Sequence, residues 1–281
     1  MGFSIITGDA YHFDMDHNGF PAFTEENVKR INFILENDSN YRFDDEKHPD
    51  SACYCIKKLK NPESELQNKD VILEIVKRID KQNSTRQSSM GPKKNDGKKN
   101  GRDQTAEHIK DIKNFYRRLG EGDAKLVQEI AESIKTRYTF SFASKYCTYV
   151  SRYLFEGDKE KEDGYCIYDK ILCDILPYYA WVYLEENYKA RSRSKIDEEF
   201  RGDYEKYRNL IDRIRKSSKA ITDYEISRKD FDHLLWYYFK GDRDIREGKR
   251  GKIIYKSRIT KALELVPPRD RKKTNKRMDI L

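Results

Sequence analysis

FSFASKYCTYVSRYLFEGDKEKEDGYCIYDKILCD, residues Phe140 to Asp174, decides how this chain is read. Ala143, Tyr146, Cys147, Val150 and Leu154 recur at intervals of three and four and so describe one buried face of a helix. Ile171, Leu172, Ile175, Leu176, Tyr179 and Tyr183 repeat the pattern as far as about Asn187, with Asp169 as N-cap or first-turn acid. Phe155 to Tyr165, between the two, reads as a loop. The spacing therefore puts Lys145 just inside the start of one helix and Asp169 at the start of the next.

A lysine in the first turn of a helix faces the positive end of the macrodipole, which works against its ammonium form, and burial among aromatics works the same way. A neutral amine is a nucleophile able to form a Schiff base. A helix N-terminus favours the carboxylate anion, which can stabilise positive charge developing beside it. Amine and carboxylate from adjacent helix starts are expected to face one cleft.

Phe142-Ala143-Ser144-Lys145-Tyr146 followed by Ile167-Tyr168-Asp169 resembles the helix-hairpin-helix DNA glycosylase superfamily, in particular bacterial proteins with an 8-oxoguanine-glycosylase-like fold. The match runs from roughly Thr105 to Lys240, and Phe231-Asp232-His233-Leu234-Leu235-Trp236-Tyr237 resembles the closing helix of that fold. Better-known members carry a glycine-rich hairpin, whereas Tyr138 to Ser144 has no glycine, and the charged insert Glu156 to Asp163 lengthens the interval between Lys145 and Asp169. The resemblance implies that Lys145 attacks the sugar carbon of a flipped nucleotide and Asp169 supports departure of the base. A flipped base needs a closed, partly aromatic pocket. Phe142, Tyr146, Tyr165, Tyr168 and Trp236 are its expected walls. The mechanism calls for no cofactor.

Composition fits that partner class. Hydrophobic residues make up 37% of the 281 and charged residues 38%, a balance that suits helices with wide polar faces. Twenty tyrosines and thirteen phenylalanines supply much of the apolar area. A net charge of +8 favours a polyanion, nucleic acid before membrane, and the resemblance implies double-stranded DNA. From Gly248 to Leu281 twelve Lys/Arg face three acids, so this tail is either a handle for phosphate or a disordered solubilising end. Cys53, Cys55, Cys147, Cys166 and Cys173 include no C-x-x-C pair, which argues against a disulfide framework and a zinc site and for a reducing, cytoplasmic compartment. No run approaches the length of a membrane span, and a monomer is expected.

Elsewhere Asp14-Met15-Asp16-His17-Asn18-Gly19 leading to Glu25 fits a calcium-loop template, or else a turn that caps the following helix. Amphipathic helices are expected from Thr24 to Asn37 and from Asp70 to Asp80. Lys81 to Gln104, with seven basic and two acidic residues and scattered Ser, Gly and Pro, reads as a flexible linker or projecting loop. Helices resume before Gly120 and restart after Asp123; a long one carries Phe200, Tyr204, Tyr207, Ile211 and Ile214, and Ser227 to Asp230 opens the last. A lone histidine there, His233, reads as structural.

The expected fold is mainly α and two-lobed. Residues 1–80 form an N-terminal helical lobe, 81–104 a basic linker, 105–247 a glycosylase-like catalytic lobe, and 248–281 a basic tail. The expected function is excision of a modified base by a glycosylase with abasic-site lyase activity. The alternative is a non-catalytic helical DNA- or RNA-binding protein, in which Lys145 contacts a phosphate.

Overall fold

The computed structural model describes residues 13–37, 48–83, 85–89, 100–134, 137–188, 200, 202–240, 243–247 and 253–267. The fold is mainly helical. In chain order the helices are α1 (Glu25–Asn37), α2 (Ala52–Lys57), α3 (Pro62–Glu65), α4 (Lys69–Asn83), α5 (Gly101–Lys110), α6 (Phe115–Gly120) and α7 (Ala124–Ala131). They continue as α8 (Phe140–Leu154), α9 (Lys159–Glu162), α10 (Lys170–Leu184), α11 (Tyr204–Thr222), α12 (Arg228–Lys240) and α13 (Arg258–Leu265). One antiparallel pair, β1 (Arg243–Glu247) and β2 (Ile253–Ser257), pairs Ile245 with Tyr255 at its centre.

The expected division into lobes by chain order does not hold. Buried apolar side chains from Phe20 to Val266 make one continuous core. Helix α1 packs on α12 near the other end of the chain, while α2 and α4 pack on α8. The amphipathic stripes decide this: Val28, Ile31 and Ile34 need a partner for their buried side, and α12 offers Phe231, Leu234 and Leu235.

The basic linker is also shorter than expected. Lys81 to Asn83 belong to α4, a 3₁₀ turn spans Gln87–Ser89, and α5 begins at Gly101. Asp80, almost fully buried, gathers these ends. Its carboxylate accepts from Thr85 Oγ1 at 2.6 Å, the N–H of Gln87 at 2.8 Å, the N–H of Ser88 at 3.2 Å and Arg102 Nε at 2.7 Å. Residues 90–99 lie outside the described residues. The expected tail is likewise ordered in part: α13 packs on α10 and buries Ile259 and Ala262, and Val266 is buried just beyond its end.

The calcium-loop reading gives way to the turn. Asp14 Oδ2 accepts from Thr24 Oγ1 at 2.8 Å, and Asp16 Oδ1 accepts from the N–H groups of Asn18 and Phe20. Asp16 Oδ2 takes the Tyr178 hydroxyl at 2.6 Å, and Glu25 pairs with Lys29. These carboxylates close a turn instead of converging on a point. Among the described residues no group of three His, Cys, Asp or Glu side chains is placed to hold a metal ion, and no helix is long and apolar enough to cross a membrane.

Two features deliver the segment before α10 to its place. Tyr204 of α11 accepts from the Cys166 N–H at 2.8 Å and donates to its carbonyl at 2.7 Å, while Tyr207 donates to the Ile167 carbonyl at 2.7 Å. Arg208 then bridges the carbonyls of Gly122 and Gly164. Gly122 sits at φ +65°, and a Cβ there would lie 3.3 Å from the Gly164 carbonyl oxygen. Gly122→Ala is therefore expected to cost about 1–2 kcal/mol from the left-handed backbone alone, read as a lower urea midpoint with unchanged slope.

Candidate active site

Helix α8 and the N-terminus of α10 meet where Lys145 and Asp169 stand. Lys145 Nζ lies 3.2 Å from Asp169 Oδ2 and 3.2 Å from Ser141 Oγ. Asp169 is the N-cap of α10, its Oδ1 accepting from the Ile171 N–H at 2.8 Å. A carboxylate that caps with one oxygen and pairs with the other is fixed in rotamer, and it fixes the lysine in turn. Tyr168 is tied to α8 as well, its N–H donating to Ser144 Oγ at 2.9 Å.

One part of the expected geometry is corrected. Lys145 is the sixth residue of α8, in the second turn and not the first, because the helix begins at Phe140. The macrodipole acts mainly within the first turn, so the argument from helix position loses its footing for this residue. Lys145 is 7% exposed.

The pair faces a cavity of about 380 Å³, within the range of small-molecule and cofactor sites. Its walls include Tyr149 from α8, Gln82 and Asn83 from the end of α4, and Asp232, Trp236 and Lys240 from α12. Leu35, Ile167, Lys170, Ile171 and His233 complete the lining. Tyr149 donates to Asn83 Oδ1 at 3.3 Å, joining α8 to α4 across one side. Lys240 Nζ stands 3.4 Å from the centre of the Trp236 ring, a cation–π contact. Although much of the Lys240 side chain is exposed, desolvation lowers it from the ordinary lysine value; Asp169 opposes this and the charge of Lys145 adds to it.

A second cavity of about 320 Å³ adjoins the first and shares Asp169 and Lys170 with it. Phe142 and Tyr168 line this one, with Tyr138, Arg137 and Gln87. Of the five expected wall residues, Trp236 thus shares the cavity of the lysine–aspartate pair, while Phe142 and Tyr168 line its neighbour. Tyr146 and Tyr165 do neither. Both are core residues, 0% and 1% exposed, and line neither cavity. Their burial pushes both phenols well up, which leaves them neutral packing groups.

Helical geometry accounts for the difference. Ser141, Lys145 and Tyr149 follow one another at four-residue steps and share a face, whereas Tyr146 is one residue on, about 100° around the helix. Asp232, Trp236 and Lys240 make a second four-residue series on α12. That spacing, legible in the sequence, marks Asp232 and Lys240 as companions of Trp236.

All five cysteines are free thiols. Burial pushes the thiol of Cys166 up to about 12 and that of Cys147 well above its usual range, so neither is poised as a nucleophile.

A family model described as the HI_0787_N N-terminal domain matches residues 27–154, a span that contains Lys145 and ends with α8. A Haemophilus influenzae protein described as uncharacterized is 29% identical over 135 residues, covering 47% of this chain and 53% of that protein. The chain therefore spans about half the length of the curated relative it matches. No solved structure matches it.

Proposed function

We propose that this protein excises a modified base from double-stranded DNA as a glycosylase with abasic-site lyase activity, oxidised purines being the class the family resemblance implies. The observation that carries the reading is the Lys145–Asp169 pair, 3.2 Å apart, on the wall of a cavity that also holds Trp236. The base enters this cavity, and Trp236 supplies an aromatic surface for it. As the bond from base to sugar lengthens, the sugar becomes positively charged, and the Asp169 carboxylate stabilises that charge. The Lys145 amine attacks C1′ and forms a Schiff base after the sugar ring opens. The net charge of +8, all of which can be assigned to the stretch from Gly248 to Leu281, supports a duplex partner.

The ion pair itself favours a second reading. An ammonium held by Asp169 and Ser141 also suits a phosphate contact in a binding protein without catalysis.

Asp169→Asn separates charge from architecture. Asparagine caps a helix about as well as aspartate, so α10 keeps its start, but the carboxylate charge is gone. The expected outcome is a fall of about 10²- to 10³-fold in the rate of free-base release, the usual loss when one preorganised electrostatic group is removed. Release is measured by chromatography after incubating the protein with duplexes that carry a panel of modified bases. Absence of any released base from the wild-type protein across the panel overturns the reading.

A further inference from the structure

Besides Lys145, two more amines line the cavity, those of Lys170 and Lys240, and base excision itself uses neither. Lys240, the last residue of α12, points its Nζ at the face of Trp236 and lines the same cavity as Lys145 and Asp169. The other charged or titratable groups on that lining are Lys170 from α10, Asp232 and His233 from α12, and Tyr149 from α8. Asp169 is engaged twice, by Lys145 and by the start of α10, and Lys145 is consumed once the Schiff base forms.

A lyase needs one more participant. After the base has left, C1′ is joined to Lys145 Nζ as an iminium, and cutting the strand requires removal of a proton from C2′. We propose that Lys240 is the general base of this strand-cleaving step. This inference rests on the glycosylase–lyase reading above. The neutral Lys240 amine takes the C2′ proton, and the C–H electron pair forms an enamine with C1′. The enamine then pushes out the 3′ phosphate: the C3′–O bond breaks, its electron pair leaves with the phosphate oxygen, and a C2′=C3′ double bond remains beside the restored iminium. No oxidant or reductant takes part.

Two features suit Lys240 to this role. Its side chain lines the cavity of Lys145 and Asp169, and desolvation there favours the neutral amine. Once protonated, the new ammonium is held against the Trp236 ring. Arginine at this position reproduces the protonated state and its ring contact but cannot act as a base, because a guanidinium does not give up its proton.

The test uses a duplex with a preformed abasic site, single-turnover conditions, and quenching with borohydride, which fixes the Schiff base so that adducts on cut and uncut strands can be counted. Lys240→Arg and Lys240→Met are expected to accumulate the trapped adduct on uncut strand, with cutting slowed by about 10²-fold. Cutting at the wild-type rate by Lys240→Arg overturns the proposal. So does a fall of adduct and cutting in the same proportion, which makes Lys240 a binding residue. If the wild-type protein forms no adduct on any strand, the glycosylase–lyase reading itself fails and takes this step with it.

Discussion

Lys145→Ala is expected to lower base release by about 10³-fold or more, the scale on which removing a covalent nucleophile acts. Duplex binding should change only a few-fold, since Lys145 is almost buried and one charge among many on a basic chain. The opposite pattern distinguishes the non-catalytic reading: if Lys145 is a phosphate contact, its loss weakens binding and flattens the salt dependence by about one unit of slope. Lys145→Gln is the companion variant. It retains a donor for Asp169 and Ser141 and so keeps the local structure while removing the amine nucleophile. Both variants should lose release alike, measured beside an unchanged far-UV circular dichroism spectrum.

The largest stability effect is expected at Asp80. Its side chain is 2% exposed, and it holds the end of α4, the turn from Thr85 to Ser88 and Arg102 of α5 on one carboxylate. Asp80→Ala leaves a guanidinium and two backbone N–H groups without their acceptor, and breaking a buried pair of this kind costs about 3–5 kcal/mol. Burial raises the Asp80 carboxyl, but the hydrogen bonds it accepts from Thr85, Gln87, Arg102 and Ser88 together hold it below its ordinary 3.8. A folded-state value below the unfolded one means that the stabilisation is complete above about pH 3.8 and is lost as pH falls through the folded value. Urea denaturation at pH 7 should therefore show the full difference between wild type and Asp80→Ala, and the two should converge at the acid end. Because Gln82 and Asn83 line the first cavity and Thr85 and Gln87 the second, the variant should also loosen the site.

What the sequence made legible follows from periodicity. The stripes of α8 and α10 show two successive helices, though not the first residue of α8, and Asp169 is identifiable as a cap from its residue type at the start of α10. Together these put Lys145 and Asp169 near the starts of successive helices. The face of a helix is harder to read when both sides carry aromatics. Tyr146 and Tyr149 are the same residue type three positions apart; only the four-residue step from Lys145 separates the cavity residue from the core residue. Asn83, Gln82 and Lys240 come from helices distant in sequence, and nothing local shows that α4 and α12 end at one place. Asp80 carries a signal of its own: it follows Val76 by four residues on a stripe with Ile72 and Ile79, so a charge there must be buried and partnered. The composition of Lys81 to Gln104 is that of a loop, and the anchor that orders its ends lies one residue before it.

The lobes show the same limit. Chain order groups α1 with α2 and α4, but burial groups α1 with α12, because the partner of an amphipathic face is set by complementary shape and not by proximity along the chain.

The most direct test of the central claim is borohydride trapping of the wild-type protein and Lys145→Ala on duplexes carrying either an 8-oxoguanine or a preformed abasic site. Borohydride reduces a transient Schiff base to a permanent link that survives denaturing electrophoresis. A covalent protein–DNA adduct with the wild type that disappears in Lys145→Ala is the predicted result, and an adduct on the 8-oxoguanine duplex adds that this base is removed first. Binding of both duplexes with no adduct on either, or an adduct that persists undiminished in Lys145→Ala, contradicts the assignment of Lys145 as the nucleophile.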